Sequence, residues 1–292
     1  MQFNTSEPLS IKLEVTSPLA YYAAQYWIEH AHSGGKNESQ SSVVFVLIMK
    51  LLTAEKAAFP NWVRLCDIDD FSVMNLQKRR AYIAKPLYYA SLAGLTEATH
   101  VLLEMKADTN AQGGSYGNAL QAASYSGYEA IAKLLIEYGA DVNAQGGNYG
   151  NALQAASYSG YEAIAKFLIE NGADINAQGG TYGNALQAAS YKGYEAIAKL
   201  LIENGADVNA QGGVYGNVLQ AASYSGYEAI AKLLIENGAD VNAQGGMFGN
   251  ALQAASYGGH DTIIKLLIKN GADLKIQGGE YGTTLEQHYI KA

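Results

Sequence analysis

A period of 33 residues constrains this chain more than any other feature. Asn110, Asn143, Asn176, Asn209 and Asn242 each open the run Asn-Ala-Gln-Gly-Gly, and an aromatic-Gly pair followed by Asn-x-Leu-Gln-Ala-Ala-Ser-Tyr completes each match. Segments 113–145 and 146–178 differ at four positions only: Ser115/Asn148, Leu134/Phe167, Tyr138/Asn171 and Val142/Ile175. Segments 179–211, 212–244 and 245–277 follow the same template, a decayed copy occupies 80–112, and a partial one occupies 278–292. A fixed period of this size is the mark of a solenoid, because one such unit cannot bury its apolar face alone and must stack on its neighbours. The 292 residues therefore count copies rather than domains.

Each unit reads as two short helices and a reversal. Asn118 is a good N-cap for a helix of small residues over Ala119–Tyr125, and Gly127 stops it. Ala122 and Ala123 let neighbouring helices approach closely. A second helix from Tyr128 to about Tyr138 sets Ile131, Leu134 and Leu135 on one face. Glu129 and Lys133 form an outward i,i+4 pair worth tenths of a kcal/mol. Gly139 breaks that helix, Asp141 organises the turn, and a glycine-rich finger leads to the next unit.

With Asn118-Ala-Leu-Gln-Ala-Ala123, Gly127-Tyr128, Ile131-Ala132, Leu134-Leu135 and Gly139-Ala-Asp-Val-Asn143 in this order, the chain resembles the ankyrin repeat proteins over 80–292. The resemblance implies an all-α ankyrin-repeat solenoid, and three departures are systematic. The family's Thr-Pro is replaced by Asn-Ala, its His by Gln121, and the fingertip reads Gln-Gly-Gly-x-Tyr-Gly. This wording is similar to the ankyrin arrays at the C-termini of fungal receptor-like NTPases of the NACHT type. None of the NTPase motifs is present, so no nucleotide hydrolysis is implied. Residues 1–79 form an N-terminal helical segment, with helices expected over Leu19–His32, over Val43–Leu52 and from Pro60. They are expected to cap the apolar end of the stack.

The chemical inventory is thin. The single Cys66 excludes a disulfide scaffold and points to a reducing, cytoplasmic setting. With 19 Lys and Arg against 27 Asp and Glu, the net charge of -8 argues against nucleic acid as a partner. Lys50 interrupts the one markedly apolar helix, which is too short to span a membrane. His30, His32, His100, His260 and His288 form no metal-binding pattern, since His30 and His32 point to different helix faces. The Gly-rich finger lacks the Lys-Ser/Thr of a phosphate loop. Repeated Glu129, Glu137 and Asp141 occupy identical environments, whereas a catalytic pair needs distinct ones. These residues argue against an enzyme, and no cofactor or metal is expected.

Variation within a near-uniform array marks the candidate surface. The residue before the finger aromatic is Ser115, Asn148, Thr181, Val214, Met247 and Glu280, and the residue before the mid-unit glycine is Ser126, Ser159, Lys192, Ser225 and Gly258. The resemblance to ankyrin proteins places these positions on a concave groove. Beside them stand Tyr125, Tyr158, Tyr191, Tyr224 and Tyr257, a ladder of rigid amphipathic rings next to adaptable tips. The leading expectation is a non-enzymatic, monomeric scaffold whose acidic, Tyr-lined groove holds a neutral or basic protein or peptide. Replacing Tyr191 and Tyr224 by Ala is then expected to weaken capture and leave stability nearly intact. The competing expectation is a small-molecule or catalytic pocket where the N-terminal helices meet the first repeats, lined by Tyr21, Tyr22, Trp27, Trp62, Tyr88 and Tyr89.

Overall fold

Each complete unit folds as two antiparallel helices followed by a finger that turns back beneath the next pair. The computed structural model describes residues 38–53, 59, 60, 63 and 83–276. Helix α1 (Glu38–Leu52) precedes the array. The decayed unit supplies α2 (Pro86–Leu92) and α3 (Thr96–Glu104). The five complete units supply α4 (Ala119–Ser126) with α5 (Glu129–Glu137), α6 (Ala152–Ser159) with α7 (Glu162–Glu170), and α8 (Ala185–Lys192) with α9 (Glu195–Glu203). Then come α10 (Val218–Ser225) with α11 (Glu228–Glu236), and α12 (Ala251–Gly258) with α13 (Asp261–Lys269).

The fingers are minimal hairpins. Strands β1 (Gln211–Gly212) and β2 (Gly216–Asn217) pair antiparallel, with Gln211 opposite Asn217 and Gly212 opposite Gly216. Single bridges close three other fingers, joining Gly146 to Gly150, Gly179 to Gly183 and Gly245 to Gly249.

Local chemistry explains where each helix begins and ends. The Asn118 side chain accepts from the Gln121 backbone N–H at 2.9 Å, and the same cap recurs at Asn151, Asn184, Asn217 and Asn250. Gly127, in the left-handed conformation, closes α4. The second helices have no side-chain cap bond; Tyr128, Tyr161, Tyr194, Tyr227 and His260 stand at that position.

Packing between units runs mainly through the first helices, each of which stacks on the first helices before and after it. Ala122 and Ala123 are fully buried, as are their copies, so methyl groups set the approach. Ile131, Ala132 and Leu135 close the core from the second helix, whereas Leu134 is only half-buried. The N-terminal segment joins the same core. Leu52, Phe59 and Val63 are buried in it, and Phe59 meets the Tyr89 ring edge-on at 5.6 Å.

Two polar ladders lock the stack. In the first, the Asn143 side chain donates to the Gly172 carbonyl at 3.0 Å and accepts from the Asp174 backbone N–H at 2.7 Å, one unit on. Asp141 in turn accepts from the Asn143 backbone N–H at 2.9 Å, the turn role expected of it. In the second, the buried Gln154 donates its Nε2 to the carbonyls of Ala177, Gly179 and Gly183 at 3.3, 3.2 and 2.9 Å. A glutamine in place of the family histidine thus ties each first helix to the next finger. Gln154→Ala is expected to cost about 2 kcal/mol, because buried carbonyls lose their donor. A denaturant titration that shows no change in midpoint would remove this bond from the account.

Candidate partner-binding face

Ten aromatic rings form one continuous stack along the finger and first-helix side. Finger rings alternate with helix rings: Tyr116 and Tyr125 lie 4.2 Å apart, Tyr125 and Tyr149 5.2 Å, Tyr149 and Tyr158 4.6 Å, and Tyr158 and Tyr182 4.8 Å. The series continues through Tyr191, Tyr215, Tyr224, Phe248 and Tyr257 with steps of 5.3, 4.8, 5.5, 4.7 and 5.3 Å. The sequence singled out the helix rings. It did not mark Tyr116, Tyr149, Tyr182, Tyr215 and Phe248, although their fixed place in the period was the available signal.

The ring spacing also shows which way the array bends. Successive finger rings are 6.0, 6.1, 6.4 and 6.3 Å apart. Packed helix axes need about 8–10 Å. Equivalent atoms on this side are therefore closer together than the helices that carry them, and the side is concave.

Because ring faces are used in the stack, the nine tyrosine rings, half-buried or exposed, offer edges and hydroxyls outward, whereas Phe248 is buried. The Tyr149 phenol lies beside that of Tyr125, Tyr182 beside Tyr158, and Tyr215 beside Tyr191, with ring centroids 5.2, 4.8 and 4.8 Å apart. Burial first, and then the proximity of neighbouring phenols, push Tyr149, Tyr182 and Tyr215 well above the usual phenol range. The sign follows: folded pKa values raised above the unfolded value leave stability intact below about pH 10 and erode it as pH rises from there toward the folded values. A phenolate absorbance titration should show these hydroxyls ionising only together with loss of helicity. Replacing all three by Phe should flatten that alkaline fall; an unchanged profile would contradict it.

The variable tips are held by backbone. The Asn148 N–H donates to the Ser115 carbonyl at 2.9 Å, Thr181 to Asn148 at 2.9 Å, Val214 to Thr181 at 3.1 Å and Met247 to Val214 at 3.4 Å. Their side chains take no part in this ladder, so identity can change without loosening the fingers. Asn148, Thr181 and Val214 are exposed, and Ser115 and Met247 are half-buried. Ser126, Ser159, Lys192 and Ser225 are half-buried at the far ends of the first helices, next to the rings.

Charge is segregated. Segments 113–127, 146–160, 179–193, 212–226 and 245–259, which build this face, hold no Asp or Glu and one cation, Lys192. In the five complete units the carboxylates lie on the second helices and the turns after them, so the described part of the groove is not acidic as expected. Their pairs with lysine, such as Lys133 with Glu129 at 2.6 Å, are solvent-exposed and weak.

The junction with the N-terminal segment is filled where it is described. Tyr88 and Tyr89 are buried and meet edge-on at 5.2 Å, and the Tyr88 hydroxyl accepts from the Tyr116 backbone N–H at 3.3 Å. Tyr21, Tyr22, Trp27 and Trp62 lie outside the described residues, as do His30, His32 and His288. Among the described residues nothing at this junction supports a small-molecule pocket. Among the described residues no group of His, Cys, Asp and Glu is placed to hold a metal ion, and no helix is long and apolar enough to cross a membrane.

Comparison with known proteins agrees with this architecture. Models described as ankyrin repeats in three copies match residues 153–245 and 186–278, and a model of ankyrin repeats in many copies matches 120–169. Together they span more than half of the chain. A curated fungal protein, the azaphilone pigments biosynthesis cluster protein L of Monascus ruber, is 36% identical over 117 residues, which cover 36% of this chain. The match spans 24% of that protein's length. The crystal structure of the human ASB11 ankyrin repeat domain aligns with a TM-score of 0.59 and 27% identity, covering 68% of this chain and 88% of that one.

Proposed function

The chain belongs to the ankyrin repeat family, whose members generally mediate protein–protein interaction, and we propose that its concave stack of rings is the docking groove for an extended segment of a protein partner. The ring period carries this reading. A β-strand repeats on one face every two residues, about 6.4–6.8 Å, close to the 6.0–6.4 Å between successive finger rings. Alternate side chains of the segment then meet one unit each. Ring edges and phenol O–H groups are complementary to backbone carbonyls, and the tips Ser115, Asn148, Thr181, Val214 and Met247 read the flanking side chains.

The acidic back of the array steers basic partners toward the chain, leaves neutral ones unopposed and repels nucleic acid. The array works without chemistry of its own, as a monomer inside the cell. The finger wording further suggests the recognition arm of a fungal receptor-like assembly. Residues 1–79 serve as its cover: removing them would bare the apolar surface that Leu52, Phe59 and Val63 shield. The truncated chain is expected to aggregate, and a soluble monomer by light scattering would overturn that role.

The direct test is selection of displayed random twelve-residue peptides on the intact chain. Enriched peptides should lose most of their binding to the variant with Tyr149, Tyr182 and Tyr215 changed to Phe, which keeps the stack and removes the hydroxyls. Peptides that bind this variant unchanged and cross-link to the second helices would refute the groove.

A further inference from the structure

A groove of near-identical units has a register problem. An extended segment displaced by one unit meets the same rings, caps and fingers with nearly the same energy. The face breaks this symmetry at one place. Lys192 stands where Ser126, Ser159 and Ser225 occur, Gly258 stands in that same slot two units further on, and His260 replaces the tyrosine of Tyr128, Tyr161, Tyr194 and Tyr227. These three departures come from units two apart, yet they line one depression of about 410 Å³, together with Tyr191, Tyr224 and Ser225.

The departures explain the depression. A Cβ on Gly258 would lie 2.6 Å from the Tyr224 carbonyl oxygen and 2.5 Å from the His260 ring. Without it, the imidazole swings in and its Nε2 reaches that carbonyl at 2.9 Å. Since a carbonyl only accepts, Nε2 donates. Lys192 also lines the depression; its ammonium lies 4.8 Å over the Tyr158 ring of the preceding unit and forms no ion pair among the described residues, so a lysine side chain resting on that ring can turn to meet an anion in the depression. It is the one cation in segments 113–127, 146–160, 179–193, 212–226 and 245–259, which hold no carboxylate; Glu280, in the next tip slot, lies outside the described residues.

We propose that this depression is the register site of the groove, and that it receives an Asp or Glu side chain of the extended partner segment with Lys192 as its counterion. The proposal rests on the groove reading above. In every shifted register the carboxylate would stand over Ser126, Ser159 or Ser225 and lose that counterion, while a partner cation at the site would meet Lys192 head-on. The site therefore selects alignment rather than supplying most of the affinity, which comes from the ring stack.

The same peptide selection tests it, read for sequence. Enriched peptides should share one acidic residue at a constant place in an alternating pattern. For a synthetic copy, changing that residue to its amide should weaken binding about tenfold on the intact chain, as expected for one charge-assisted contact at a half-buried site. The change should matter less than about twofold on Lys192→Ser or Lys192→Met, and added salt should erode the preference. Lys192→Ser restores the residue of the neighbouring units, and an unchanged melting curve controls for folding. Enriched peptides without an acidic residue, or an amide effect that survives Lys192→Ser, would overturn the register site and leave the groove standing. Selection of no peptide sensitive to the finger hydroxyls would overturn both.

Discussion

Gly180→Ala is expected to split the unfolding of the array into two transitions. Gly180 has φ +62°, and a Cβ there would lie 2.3 Å from the carbonyl carbon of Tyr149 and 2.4 Å from its oxygen, both backbone atoms that cannot turn aside. Relieving the clash must push one finger away from the next. That in turn strains the Thr181 to Asn148 backbone bond of 2.9 Å and the contact between the Tyr149 and Tyr182 rings. A loss of about 3 kcal/mol or more at a single interface follows. In an array held by nearest-neighbour contacts, weakening a central interface uncouples the two sides. Circular dichroism in a denaturant titration should then show two steps where the parent shows one. Gly172→Ala is the matched control: its φ is +85°, but nothing lies within 4 Å of the added methyl. Only backbone strain of about 1 kcal/mol is expected there, with one transition retained. Equal behaviour of the two variants would show that finger contact does not couple the units.

Tyr191→Ala with Tyr224→Ala is expected to cost about 2–4 kcal/mol, against the sequence-based expectation of nearly intact stability. Tyr191 stacks between Tyr182 at 5.3 Å and Tyr215 at 4.8 Å. Tyr224 touches Tyr215, Phe248 and Tyr257 at 5.5, 4.7 and 6.1 Å. Removing both deletes rings on either side of Tyr215 and opens the column. Changing both to Phe keeps the stack and should leave the melting temperature within a few degrees of the parent, while peptide capture falls. If the Ala pair melts like the parent, the column is surface decoration and not packing. If the Phe pair captures peptides normally, the hydroxyls have no part in recognition.

The two substitutions differ in how far they could be foreseen. That Gly180 occupies a tight reversal follows from the Gly-Gly pair at a fixed slot of the period. That Tyr191 supports its neighbours does not, since Tyr182 and Tyr191 are nine residues apart and Tyr191 and Tyr215 are twenty-four apart. Neither spacing corresponds to a helical or strand neighbour. The Asn118 cap, the Gly127 stop and the Asp141 turn were legible because each acts within a few residues. The Gln154 bonds, which reach 23 to 29 residues ahead, were not.

By itself the sequence determined the unit, its order of two helices and a finger, the caps and breaks at its ends, and the stacking that a 33-residue repeat of half-buried helices demands. These follow from local propensity and from apolar faces that no single unit can cover. Only the tertiary structure decided which rings meet and how closely they stack along the concave side that the resemblance implied. It also brought Lys192, Gly258 and His260, separated by up to 68 residues, to one depression. Those distances are set by the close approach of Ala-faced helices and by the closure of each finger on the next, which act between units, where the pattern within one unit does not reach.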